Sequence, residues 1–187
     1  MKTIVWTGHR PPKLGGYNEL TEEAHYLKKG LTVVLLELAE QFRGETLRHV
    51  TGGALGIDQW VAEQVIVLRD QGFDMKLHVE IPFEGFWERW PPSSQERLQA
   101  IIEKADSCIA TLPEAMENAF QLRNEAMLAQ IPPETVKGEH GLVIAVWDGS
   151  RGGTANCVWS ARRMGLEVRV LTPIQVRELT GYEYVPF

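Results

Sequence analysis

Cysteine is scarce in this chain. Its 187 residues include two, Cys108 in a strand-like run and Cys157 near a helix start, with no CxxC pair and no histidine at metal-ligand spacing. A structural zinc is therefore not expected, and no metal site is assigned. Cys157 admits two readings, a nucleophile activated by the helix terminus or a small buried apolar residue. With no histidine near it in sequence, the second is preferred. Long apolar runs are missing too. No stretch approaches the length of a membrane span, and Met1-Lys2-Thr3-Ile4-Val5-Trp6 is too short for a signal peptide. The expectation is a cytoplasmic protein with no membrane partner. There is no long basic run, and the formal net charge of −6 argues against nucleic acid as the main partner, since that role calls for a positive stripe. Small anions can still bind in a local pocket. Repeats and low-complexity tracts are absent. The length and the 44% apolar content fit one domain with its own core, and residues 1–187 are read as that single domain.

What is present is an alternation of strand and helix. Thr3-Ile4-Val5-Trp6 reads as a strand, and Leu27, Leu31, Val34, Leu35, Leu38 and Phe42 share one face of a helix. The His49-Val50 strand follows, then a helix through Val61, Val65 and Leu68, then a strand from Leu77 to Ile81 that is expected to stop at Pro82. Ser93 or Ser94 can cap the next helix, which groups Leu98, Ile101, Ile102 and Ala105. Cys108 to Thr111 is a short strand, Glu117 to Ala129 a fourth helix, and Pro132 to Gly141 an exposed connection. Leu142 to Trp147 and Val168 to Leu171 complete the strands. The alternation implies right-handed crossovers and a doubly wound α/β architecture, a mostly parallel sheet with helices on both faces.

Two glycine-rich loops stand between strand and helix: Thr51-Gly52-Gly53-Ala54-Leu55-Gly56-Ile57-Asp58 and Asp148-Gly149-Ser150-Arg151-Gly152-Gly153-Thr154-Ala155-Asn156. Glycine lets the backbone turn and approach a ligand closely, and the free N–H groups of a helix start favour an anion. Neither loop is GxGxxG or a GK[ST] P-loop, so hydride transfer from NAD and ATP hydrolysis are poor readings. In doubly wound sheets ligands bind beyond the carboxyl ends of the strands, and Gly8-His9-Arg10, both glycine loops and the Pro82 to Pro92 loop fall there. Gly52, Gly53, Gly152, Gly153 and Thr154 can offer backbone donors and a hydroxyl to phosphate oxygens. Arg10 and Arg151 read either as phosphate ligands or as solvated arginines.

Asp58 would repel a phosphate, so it suits a ribose hydroxyl or a loop brace, or simply the first turn of its helix. It is not paired with Glu63 as acid and base, because five residues along a helix need not share a direction. Arg123 follows the helical spacing of Met116, Phe120 and Met127, so its charge requires a partner or water. With Asn124 it either reads an anionic ligand or passes the core edge. The segment from Phe83 to Trp90 offers an aromatic wall, a packing element or a subunit contact. His9 can donate to phosphate when protonated, with no partner identified, while His25, His49, His78 and His140 suggest no ligand set.

Taken together, Thr7-Gly8-His9-Arg10, the Thr51 to Asp58 loop, Phe120-Gln121-Leu122-Arg123-Asn124 and Gly152-Gly153-Thr154-Ala155-Asn156 resemble the YpsA-like branch of the SLOG superfamily. The superfamily also contains DprA and the LOG phosphoribohydrolases, once called lysine decarboxylases. The resemblance implies a Rossmann-like fold that binds nucleotides or nucleotide-derived molecules, including NAD and ADP-ribose derivatives. It departs at one point. LOG hydrolases carry a catalytic glutamate shortly after their PGGxGT loop, whereas here Thr154 is followed by Ala155-Asn156-Cys157-Val158 and the proline is absent. Asn156 can hydrogen-bond but cannot stabilise an oxocarbenium-like charge as a carboxylate does.

The expected site is Gly8, His9, Arg10, Gly52, Gly53, Ala54, Gly56, Asp58, Arg123, Asn124, Asp148, Gly149, Ser150, Gly152, Gly153, Thr154 and Asn156, with no obligatory cofactor. The leading reading is a protein that binds or senses a nucleotide-derived small molecule without LOG chemistry. An N-glycosidic hydrolase using Asp58, Glu63 or Asp148 is the alternative. A DprA-like nucleic-acid adaptor stands behind both, and a homodimer or higher homo-oligomer is an open expectation.

Overall fold

The computed structural model describes residues 1–133 and 138–181. Six strands form one parallel sheet in the order β4-β3-β2-β1-β5-β6. They are β1 (Lys2–Gly8), β2 (Leu47–Thr51), β3 (Met75–Phe83), β4 (Ser107–Leu112), β5 (Gly141–Val146) and β6 (Val168–Leu171). The helices are α1 (Glu22–Gln41), α2 (Ile57–Asp70), α3 (Pro92–Lys104), α4 (Ala119–Ala129), α5 (Gly153–Arg163) and α6 (Pro173–Glu178). A 3₁₀ turn at Pro11–Lys13 interrupts the passage from β1 to α1. This is the Rossmann-like architecture expected of the alternation, and its parallelism is complete.

One face of the sheet carries α1, α2, α3 and α6, whose apolar sides meet Ile4, Trp6, Leu77, Val79, Ile144 and Val146 in the larger core. The other face carries α4 and α5, which bury Met127, Leu128, Cys157 and Ala161 against Val5, Val50 and Val143. Since β1 and β5 are covered on both faces, they read as nearly continuous apolar runs. Thr21 opens α1 by accepting from the Ala24 N–H at 3.3 Å, and Glu22 and Glu23 in the first turn suit the positive helix end. Gly30 lies where α1 meets α6: a Cβ there would stand 1.9 Å from the Val176 carbonyl oxygen. The close crossing of these helices therefore requires a residue without a side chain.

Two sequence expectations need correction. β3 does not stop before Pro82 but runs through it to Phe83. Its neighbour β2 has already ended at Thr51, opposite Val79, so the missing N–H costs no ladder bond on that side. Neither Ser93 nor Ser94 caps α3. The helix begins at Pro92 behind Pro91, where a missing N–H is an orphan in any case. Of the connection expected between Pro132 and Gly141, residues 134–137 lie outside the described residues.

On the α4 side of the sheet His78 and Glu80 are buried and reach Ser107 and Thr111 of the edge strand. His78 Nδ1 lies 2.7 Å from Ser107 Oγ and its Nε2 2.9 Å from Glu80 Oε2, while Thr111 donates to Glu80 Oε1 at 2.8 Å. Each polar side-chain atom of His78 and Glu80 has a partner, which is the condition for tolerating it in a low-dielectric interior.

Candidate functional site

The sheet order reverses at β1, which lies between β2 and β5. The chain leaves β1 toward α1 on one face and leaves β5 toward α5 on the other, so the two loops part and open a crevice. A cavity of about 320 Å³ occupies that switch point, lined by residues 7–10 at the end of β1 and just beyond it, by Pro12 and Lys13, by Ala54 and Asp58, by Phe120, Arg123 and Asn124 of α4, and by residues 150–154. Of the expected site residues, the structure brings Gly8, His9, Arg10, Ala54, Asp58, Arg123, Asn124, Ser150, Gly152, Gly153 and Thr154 to its wall. Gly52, Gly53, Gly56, Asp148, Gly149 and Asn156 are not among the lining residues.

The two glycine loops, so alike in sequence, do different things. At Gly52 a Cβ would stand 1.4 Å from Arg123 Nη1 and 2.7 Å from Asp58 Oδ2. The space over this glycine is filled by the guanidinium. Gly53 turns toward Leu98, Val79 and Ile81 of the core. Gly56, at φ +95°, packs beneath the His9 carbonyl. Two donors here are also taken: Ile57 N–H reaches His9 O at 3.3 Å, and Ala54 N–H reaches Asp58 Oδ2 at 3.4 Å. At the second loop the positions are open. A Cβ on Gly152 or Gly153 would meet nothing within 4 Å, and no side chain caps the start of α5. First-turn N–H groups have no acceptor within their helix, and two residues of this first turn, Gly153 and Thr154, line the cavity.

Asp58 and Arg123 form the buried charge pair of the site, Nη1 to Oδ2 3.4 Å, each side chain 8% exposed. Burial pushes the Asp58 carboxyl up, against the pull of Arg123. Burial likewise pushes the Arg123 guanidinium down, against the pull of Asp58. Arg123 Nε has no hydrogen-bond partner. The expectation that a charge on this helical face needs a partner is met by a carboxylate 65 residues away.

His9 also has the partner that sequence could not supply. Its Nε2 lies 2.7 Å from Asp148 Oδ1, and burial lowers its pKa although Asp148 pulls the other way. Hydrogen bonds from Ser150 hold the Asp148 carboxyl below the usual range, assisted by His9. Gly149 at φ +87° makes the turn that folds Ser150 back onto this carboxylate. Lys13 joins the cluster through Ser150 Oγ and lies 3.8 Å from Asp148 Oδ2.

The aromatic wall of the cavity is Phe120, with Arg10 5.5 Å above its ring. The end of β3 and the loop after it stand behind it: Phe83 and Phe86 pack edge to face on Phe120, and Trp87 and Trp90 pack on Phe86. Thr7, Pro12, Lys13 and Phe120 also line the wall, outside the expected site. Their signal was proximity in sequence to Arg10 and Arg123. Glu63 is held by Arg97, at 2.5 Å, rather than by Asp58. Asn156 is exposed on the outer side of α5. Cys157 is buried, with its thiol pushed up to about 11 by burial. No group of three or more His, Cys, Asp or Glu side chains suited to a metal ion occurs among the described residues. Nor is any helix there long and apolar enough to cross a membrane.

A family model described as the YspA SLOG family matches residues 4–130, a span that includes most of β1, the first glycine loop and Arg123 but ends before β5. The second loop is reached by a longer alignment. The UPF0398 protein of Shouchella clausii is 28% identical over 179 residues, covering 94% of this chain and 89% of that protein. The UPF0398 proteins of Staphylococcus haemolyticus and Oenococcus oeni are 33% and 30% identical over 124 and 125 residues, each covering 66% of this chain, and 64% and 65% of their own lengths. The chain belongs to this YpsA-like SLOG family.

Proposed function

We propose that this protein binds a nucleotide-derived small molecule, with its phosphate at the start of α5, and reports or sequesters that molecule rather than cleaving it. The observation that carries the reading is the open end of α5. Gly152 and Gly153 present an unfilled cradle to a cavity whose wall also holds Arg10, Lys13, Arg123 and Arg151. Arg123 is balanced by Asp58 and Lys13 by Asp148, so the cations left to favour an anion beside the uncapped helix donors are Arg10 and Arg151. Asp58 lines the same cavity and can accept from a ribose hydroxyl. A hydrolytic role is less well supported, because the carboxylates available for it are engaged: Asp58 by Arg123, Glu63 by Arg97 and Asp148 by Ser150 and His9.

The test is thermal unfolding of the full chain with AMP, ADP, ATP, NAD, ADP-ribose and cyclic nucleotides, each mixture then analysed by mass spectrometry. A ligand at a hundred times its Kd stabilises by about 2.7 kcal/mol, a rise in Tm of roughly 5–10 °C for a chain of this size. The ligand should be recovered intact. Gly153→Asp should abolish the rise while leaving the protein folded, since a Cβ there meets open space and an acid suits a helix start. Cleaved base or ribose phosphate would overturn the binding-only reading. No response to any of the panel would sink the phosphate site.

A further inference from the structure

Beyond the switch-point cavity, a second groove of about 360 Å³ runs over the seam between α4 and α5, lined by Gln121, Asn156, Trp159, Ser160 and Arg163. The two spaces are neighbours. Phe120 borders the first and Gln121 the second, while Gly153 borders the first and Asn156, one turn along α5, the second. At the seam, Asn124 Nδ2 donates to the Gly153 carbonyl at 3.4 Å. Asn156, Trp159, Ser160 and Arg163 recur at i, i+3, i+4 and i+7, one stripe leading away from the phosphate cradle. Trp159 lies about 9 Å along the helix from Gly153, by the rise per residue.

The chemistry of the groove is not that of a packing face. Trp159 leaves 47% of itself exposed. Asn156 carries an amide that both donates and accepts, Gln121 donates to Glu125 Oε1 at 3.2 Å and keeps its amide oxygen as an acceptor, and Arg163 spends one of its five donors on Ser160 Oγ at 3.1 Å. Arg163 is the cation among the lining residues, and Glu125 stands beside the groove on α4, bonded to Gln121. A flat aromatic face, edge-reading amides and a guanidinium at the far end suit an aromatic heterocycle carried on phosphate. Each space alone is at the small end of the range for ligand sites.

We propose that the α4/α5 groove is a second subsite, in which Trp159 stacks on the second base of a two-headed ligand, two nucleosides joined through a pyrophosphate. The pyrophosphate lies at Gly152–Thr154 and one nucleoside fills the switch-point cavity. This rests on the phosphate reading above, and the experiment separates the two. Titration calorimetry compares ADP with diadenosine pyrophosphate, which carries a second adenosine on the same phosphates, in the wild-type chain and in Trp159→Ala, Trp159→Phe and Gly153→Asp. The expected result is an affinity about tenfold higher for the two-headed probe, which is ~1.4 kcal/mol. Trp159→Ala should bring the ratio of the two affinities to about one, and Trp159→Phe should restore part of it by keeping an aromatic face. Equal wild-type affinities, or a ratio that survives Trp159→Ala, would overturn the second subsite. If ADP then still binds and Gly153→Asp abolishes that binding, the phosphate reading stands alone. Binding of neither probe would overturn both.

Discussion

Gly52→Ala and Gly153→Ala are the same substitution in two similar loops, and the structure assigns them opposite outcomes. Gly52 has no positive φ, so alanine is conformationally acceptable there and the cost is steric. The new Cβ would stand 1.4 Å from Arg123 Nη1 and 2.7 Å from Asp58 Oδ2, so the guanidinium must leave its place. Its exit is toward the cavity it already lines, which leaves a buried carboxylate uncompensated. Breaking a buried pair from one side costs about 3–5 kcal/mol, and at the lower figure Tm falls by roughly 6–12 °C. Gly153→Ala meets nothing within 4 Å and lies at a helix start, so it should change stability by no more than about 0.5 kcal/mol. Urea denaturation followed by circular dichroism measures both. The cause can be isolated by repeating Gly52→Ala in an Arg123→Met background, where the penalty should shrink by at least about 1.5 kcal/mol, since the two residues share one space. A Gly52→Ala protein as stable as wild type, or a full penalty in the Arg123→Met background, would refute the claim that the guanidinium occupies the first loop.

Two further outcomes follow from buried groups. His49 is fully buried, accepts from Trp6 Nε1 at 3.0 Å, and is pushed down to about 3 by burial. The unfolded chain takes up a proton near pH 6.5 that the folded protein refuses, so stability should fall as pH drops from about 6.5 toward 3. The slope from this residue approaches 1.4 kcal/mol per pH unit. His49→Gln keeps an acceptor for Trp6 and should flatten that slope in urea midpoints taken from pH 7 to 4; an unchanged slope would count against the assignment. Burial also pushes both thiols, Cys108 and Cys157, up to about 11. A disulfide exchange reagent at pH 8 should therefore label neither in the native protein and both in urea, whereas rapid native labelling of Cys157 would revive the nucleophile reading.

The periodicities of single segments were enough to read the architecture. Apolar runs over β1 and β5, the helical spacing from Leu27 to Leu38 and the glycine loops between strand and helix all express preferences of the local backbone. They hold wherever the segment ends up, and they place the loops at the carboxyl ends of the strands. Two local signals misled for equally local reasons. Pro82 reads as a stop unless the neighbouring strand is known to have ended, and Ser93 and Ser94 read as caps unless Pro92 already starts the helix.

Which glycine loop stays open was beyond such reading. Gly52 and Gly153 carry the same local signal, and the difference is made by a guanidinium that arrives from α4 and a carboxylate that waits on α2. Likewise His9 meets Asp148 across 139 residues of chain, and Asn156 is directed by the phase of α5 into the outer groove rather than the switch-point cavity. Charge and helix spacing mark a residue as needing a partner. Only the packing of α2, α4 and α5 around the reversal of strand order brings a particular partner within reach, because those contacts depend on distances between elements that no single segment contains.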